Sequence, residues 1–198
     1  GRTRTPALPP GPVGVPFTPD EEVGAGVDHI DLAALGADYA YTVDGGRLGE
    51  LEYECFNAAA ATITVTGRSV HPGSAKGKMI NAARVATELD AMIPAEERPE
   101  TTEGYEGFFH MLRAGGGPER ATISYIIRDH DRAKFEEKKE RLKDYTEAIN
   151  ARYGAEGATI EIKDQYYNMR EVIEDGNRFL VDDAITAMES LGITPIVQ

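Results

Sequence analysis

The sequence predicts two kinds of structure in one chain: α/β segments at both ends and, between them, an inserted α+β domain of order β-α-β-β-α-β. Three observations carry this. Thr62-Ile63-Thr64-Val65-Thr66 alternates strictly, the period of a half-buried strand. Met79, Ala82, Ala86, Leu89 and Ile93 recur at three- and four-residue spacing, the period of an amphipathic helix. Gly115-Gly116-Gly117-Pro118 separates two apolar runs, as a hairpin turn does.

Taken in order, residues 1–50 read as strand, acidic loop, short helix over 30–35, strand and acidic loop, which is α/β material without a complete sheet of its own. The pattern changes at Leu51. After the alternating strand, the helix of Met79 to Ile93 is closed by Pro94. Residues 105–112 and 121–128 form the hairpin strands, with Ile123, Tyr125 and Ile127 on one face. A charged helix over 132–153 buries Phe135, Leu142, Tyr145 and Ile149, and its Lys/Glu run reads as a solvated face. Gly154 and Gly157 end it, and a strand over 158–166 follows with Ile160 and Ile162 on one face. Residues 51–167 thus give the split βαβ arrangement of a ferredoxin-like domain, a four-stranded antiparallel sheet with both helices on one side. Residues 168–198 return to the first pattern, with a helix over 177–191 and a strand starting at Ile193.

Composition excludes several classes of function. With 198 residues, 41% of them hydrophobic, the chain can build one or two cores and is neither disordered nor fibrous. Its formal charge of −13 repels nucleic-acid phosphate and anionic membrane, and the Lys/Arg around 134–143 are interleaved with Glu rather than gathered into a basic patch. No apolar run reaches the roughly 20 residues of a membrane span, and 6–16 is Pro-rich without a signal-peptide core. Cys55 is the single cysteine, so no internal disulfide forms. A cytoplasmic location follows as the expectation. The chain opens on Gly1 without an initiator Met and ends just after the apolar Ile193 to Val197, so it reads as a piece of a longer protein.

Two acidic clusters carry the chemistry. Thr18-Pro19-Asp20-Glu21-Glu22 and Tyr41-Thr42-Val43-Asp44-Gly45-Gly46 each follow a short apolar stretch, which is how carboxylates reach the carboxyl ends of strands. Glu22 and Asp44 are candidate metal ligands, and of two adjacent acids one can bind a metal while the other takes a proton from water, which suggests Glu22 as ligand and Glu21 as base. The first cluster also fits a helix N-cap with an acidic first turn, and spacing leaves both readings open. His29-Ile30-Asp31 falls in a helical connection and is set aside as a metal pair; His110 and His130 are isolated and read as structural. His71, in Val70-His71-Pro72-Gly73, is presented by a turn and could polarise a carbonyl. Arg128 ends a strand, where its fork could clamp a carboxylate or pair locally with Asp129 or Asp131.

These motifs, with Leu48-Gly49-Glu50-Leu51-Glu52-Tyr53-Glu54, Glu100-Thr101-Thr102-Glu103-Gly104-Tyr105-Glu106-Gly107 and Tyr166-Tyr167-Asn168-Met169-Arg170-Glu171, resemble in type and order the peptidase T group of tripeptide aminopeptidases. That group belongs to the cocatalytic dizinc exopeptidases, with carboxypeptidase G and the aminoacylases. The resemblance implies a zinc aminopeptidase of small peptides, with Glu21 as general base, Glu22 on one zinc and Asp44 on the other. It makes the ferredoxin-like domain a lid, in which His71 assists the oxyanion and Arg128 holds the C-terminal carboxylate of the substrate, and through which a homodimer could form. The family also uses an upstream His-x-Asp, its bridging Asp, a Gly-Gly-Thr-Asp-Gly stretch and a final His. None is in this chain. The expectation is therefore an internal fragment of the enzyme; the alternative is an inactive ferredoxin-like interaction or dimerisation module.

Overall fold

The computed structural model describes residues 14–19, 26, 27, 29–154 and 157–198. They fall into two compact units divided after Gly46. In the first, Asp31 caps the one-turn helix α1 (Leu32–Leu35) by accepting from Ala34 N at 2.9 Å, and Gly36 ends it at φ 61°. No strand is formed among this unit's described residues. The strand expected around Tyr39 to Val43 is therefore not formed, because a strand exists only with a neighbour to take its backbone bonds.

The second unit is built on β2 (Asn57–Thr66), whose alternation sends Ala59, Ala61, Ile63 and Val65 into the core and Thr62 and Thr66 to solvent. β3 (Phe108–Gly116), β4 (Arg120–Asp129) and β5 (Ala158–Tyr166) complete an antiparallel sheet of order β3-β4-β2-β5. β2 begins five residues before the alternation does. Asn57-Ala58-Ala59-Ala60-Ala61 has helical propensity, but it lies centrally between β4 and β5, and pairing and packing on both sides decide its state.

α2 (Ala82–Asp90) and α3 (Arg132–Tyr153) cover one face, and Val85 and Leu89 of α2 join Phe135, Leu142 and Ile149 of α3 in a core with Phe109, Ile123, Tyr125 and Ile127. Each helix starts at a side-chain cap: Asn81 accepts from Arg84 N at 3.3 Å, and Asp131 accepts from Lys134 N at 2.9 Å. α2 is shorter than its periodicity. Met79 precedes its cap, while Ile93 stays buried in the turn beyond it. The Lys/Glu run of α3 is not wholly solvated. Lys138 and Lys139 are buried, Lys138 against Asp129 Oδ2 (3.0 Å) and Glu97 Oε1 (3.3 Å), Lys139 against Asp164 Oδ1 (2.8 Å).

Outside this sheet, β1 (Glu50–Leu51) pairs in parallel with β6 (Ile196–Val197), preceded by α4 (Arg170–Glu174) and α5 (Phe179–Ser190). The final strand thus starts at Ile196 rather than Ile193, because Gly192 at φ 75° first turns the chain out of α5. Gly49 is obligatory at the pairing. A Cβ there would lie 2.3 Å from Thr194 O, and its φ of 96° is left-handed.

Candidate functional site

Arg128 and His71 both belong to the second unit, and the fold sets them apart. β2 places Ala58 beside Arg128 at one end of its pairing with β4, while the loop that carries His71 leaves the other end, after Thr66. Ten residues of strand span about 30 Å.

His71 caps the 3₁₀ turn Pro72–Ser74 and is exposed. Gly73 N donates to its Nδ1 at 3.1 Å, which requires the neutral tautomer with its proton on Nε2. The imidazole therefore offers an outward N–H, the form that donates to a developing oxyanion. Gly73 keeps the turn tight, since a Cβ there would press on the ring at 3.3 Å.

Arg128 projects from the sheet face opposite the helices, in register with Ala58 and Phe108. Neither Asp129 nor Asp131 is its partner. Asp129 pairs with Lys138 and accepts from Asp131 N at 2.9 Å, and Asp131 is spent on the cap of α3. The Arg128 Nη1 instead donates to Ile127 O (3.2 Å) and Gln165 Oε1 (3.3 Å), and the guanidinium lies 5.3 Å from the centre of the Tyr166 ring. No carboxylate among the described residues forms an ion pair with it.

Of the acids, Asp44 lies exposed in the first unit, where its Oδ1 accepts from Gly45 N at 2.6 Å. Glu21 and Glu22 lie outside the described residues. Among the described residues no group of three or more His, Cys, Asp or Glu is gathered to hold a metal. Asp44 alone is not a coordination set, so the described residues do not by themselves fit a dizinc centre.

Sequence reasoning missed the junction where the chain crosses into and out of the four-stranded sheet. Asn57, fully buried, donates from Nδ2 to Asp129 O (3.0 Å) and His130 O (3.1 Å) and accepts from Asn168 N (2.9 Å). Asn168 Oδ1 accepts from Cys55 N (3.1 Å) and Arg170 N (3.0 Å), so the two crossings are tied by side chains rather than by a ladder. Glu54 takes Tyr105 Oη at 2.5 Å and Arg170 Nη1 at 3.1 Å. His130 is packed between the rings of Phe56 (4.0 Å) and Tyr105 (4.5 Å), and burial lowers its pKa. The only signal in the sequence was the polar Glu54, Asn57, Asn168 and Arg170 at the two edges of the ferredoxin-like pattern.

Burial works against the Glu54 carboxylate, yet the bonds from Tyr105 and Arg170 outweigh it and hold its pKa below the ordinary 4.5. A lowered folded-state value means stability that is present above pH 4.5 and lost as pH falls through the lower value. Glu54→Gln is therefore expected to cost about 1–3 kcal/mol at neutral pH. In thermal melts across pH, the gap from wild type should close on acidification; a gap that persists unchanged in acid would place the effect outside the charge.

A family model described as the peptidase dimerisation domain of M20 peptidases matches residues 53–155. The chain is 54% identical to a peptidase T of Geobacillus kaustophilus (strain HTA426) over 193 residues, which cover 98% of this chain and 47% of that protein. It thus spans about half the length of the curated relatives it matches. Among solved structures it resembles the aminopeptidase PepT of Bacillus cereus ATCC 10987, with a TM-score of 0.75 at 24% identity over 91% of this chain and 48% of that one. The YXEP protein of Bacillus subtilis, described as a dinuclear metal-binding peptidase of the M20 family, shares the fold with a TM-score of 0.52 at 15% identity, covering 77% of this chain and 36% of that one. Since the domain match takes in more than half of the residues, among them β2, β3, β4 and both covering helices, this chain belongs to the M20 peptidase dimerisation domain family.

Proposed function

We propose that the full-length protein is a metal-dependent aminopeptidase that releases the N-terminal residue of tripeptides, and that this chain carries its lid with part of its catalytic machinery. The observation that carries the reading is Arg128, a half-buried cation held in place yet without an anionic partner among the described residues. A free C-terminal carboxylate is the group its open N–H donors fit. His71 donates its Nε2–H to the oxygen of the carbonyl under attack, and Glu21 takes a proton from the attacking water and passes it to the leaving amine.

Glu22 would hold one zinc and Asp44 the other, and the metals would polarise the carbonyl and activate the water. One ligand each is fewer than the three protein ligands usual at a catalytic zinc, so further ligands come from the rest of the full-length protein. In the domain scheme that accompanies this reading, residues 51–167 are the lid, and 1–50 and 168–198 belong to the catalytic α/β domain. His71 and Arg128 sit toward opposite ends of one sheet, which favours a homodimer in which His71 of the partner subunit joins Arg128 at one substrate. No helix among the described residues is long and apolar enough to cross a membrane, in keeping with a cytoplasmic enzyme acting on small peptides.

The test is hydrolysis of tripeptides by the full-length protein before and after chelation. Turnover is expected to disappear with the chelator and to return with zinc. Turnover that survives complete metal removal would overturn the reading.

A further inference from the structure

The groups that hold Arg128 reach it through a defect in β5, which lies beyond β2 from its own strand β4. β5 pairs with β2 in regular register up to Asp164 opposite Ala59, but Ala58 faces Tyr166, so Gln165 is an extra residue in a β-bulge. Without the bulge, Gln165 would take the place opposite Ala58 and Tyr166 would fall beyond it. With the bulge, Asp164 stays on the helix side, bound to Lys139, and Tyr166 stands in one row with Ala58 and Arg128 across the sheet. Ala58 is the gap in that row. Its methyl is fully buried, and it is short enough for the guanidinium to pass over it toward the Tyr166 ring.

We infer that Gln165 and Tyr166 are positioning residues that fix the Arg128 fork for a substrate's C-terminal carboxylate, an inference that rests on the carboxylate-binding reading of Arg128. Gln165 Oε1 and Ile127 O both take the Nη1 side of the guanidinium, while Nη2 and Nε make no hydrogen bond among the described residues. One edge of the fork is thus anchored and the other is left for the ligand. The anchor is neutral, so it orients the cation without competing for its charge; a carboxylate in place of Gln165 would neutralise it. The Tyr166 ring limits the plane of the guanidinium and strengthens its hold by cation–π attraction. Holding a long side chain in advance spares the ligand the entropy of ordering it.

The experiment uses the full-length protein and a matched pair of tripeptides, one with a free C-terminal carboxylate and one with a C-terminal amide. Arg128→Ala tests the underlying reading: it should raise KM for the acid far more than for the amide, so that the discrimination between them is lost. Gln165→Ala and Tyr166→Ala should each raise KM for the acid about threefold and together about tenfold, the equivalent of one hydrogen bond and one cation–π contact. Their kcat should stay within about twofold, with the amide unaffected. Tyr166→Phe keeps the ring and should behave as wild type, whereas Gln165→Glu should harm the acid substrate more than Gln165→Ala does. Both positions are exposed, so the melting temperature should hold throughout. If Arg128→Ala removes the discrimination between acid and amide while the Gln165 and Tyr166 variants keep it, the positioning role is wrong and the reading of Arg128 stands. If Arg128→Ala itself leaves the discrimination intact, both fall.

Discussion

Glu21→Gln in the full-length protein is expected to lower kcat by about 10²–10⁴-fold, the usual contribution of a positioned general base, with no loss of bound metal. Gln matches Glu in shape and still accepts hydrogen bonds, but it cannot hold a proton taken from water. A neighbouring substitution has the opposite signature. If Glu22 is a metal ligand as proposed, Glu22→Gln should reduce metal content and lose activity with it. Measuring bound metal and turnover on both variants tests the assignment of Glu21 as base and Glu22 as ligand, and tells both from the helix N-cap that spacing left open. Loss of metal from Glu21→Gln, with Glu22→Gln fully loaded, would exchange the two assignments.

Lys138→Met should cost about 3–5 kcal/mol in the stability of the four-stranded unit, as breaking a buried ion pair from one side does. The Lys138 and Asp129 side chains are 7% and 2% exposed, with Nζ 3.0 Å from Oδ2. Asp129 Oδ1 is occupied by Asp131 N, but Oδ2 receives no hydrogen bond other than this ionic contact. Gly107 also presses close, since a Cβ there would lie 2.0 Å from Oδ2, so the carboxylate cannot turn away easily. Removing the ammonium leaves a buried negative charge uncompensated. The double variant Lys138→Met with Asp129→Asn, which buries no charge and keeps the Oδ1 acceptor, should recover a large part of the loss. Denaturant melts of wild type, Lys138→Met, Asp129→Asn and the double variant give the coupling directly. A Lys138→Met cost below about 1 kcal/mol would show that water reaches the pair as it does at the surface.

The fold of the second unit was legible wherever one face is buried and the other is not. Strict alternation gave β2 its inward Ile63 and Val65, and helical period gave α2 and α3 their core faces, whereas the caps Asn81 and Asp131 that set their starts emerged only in the structure. The alanine run before Thr62 concealed half of β2, because alanine carries no strand signature and its pairing is set by neighbours far away in sequence. The burial of Lys138 and Lys139 was hidden for a similar reason. Helical period shows which residues face inward, but only tertiary structure supplies the Asp129 and Asp164 that make a buried lysine tolerable. At the candidate site, residue type and local turns were enough to single out His71 and Arg128. Arg128 and Asp129 part because β4 alternates and turns Asp129 to Lys138 on the helix side, but the one-residue bulge in β5 that brings Gln165 and Tyr166 to the guanidinium leaves no mark in composition or periodicity.

The tied crossings also bear on the order in which the chain assembles. β1 and β6 are two-residue strands that pair in parallel across almost the whole of the second unit. While the intervening residues are unfolded, bringing them together means closing a loop that includes the roughly 110 residues from Asn57 to Tyr166, at an entropic cost on the order of 4 kcal/mol. Two residues of strand cannot offset that. Once the four-stranded sheet has formed, its ends are held a single hydrogen bond apart by Asn57 and Asn168, and the same closure becomes a local step. The sheet should therefore fold first, as a staple that brings the two sides of its host together, and the host pairing should form late and melt early.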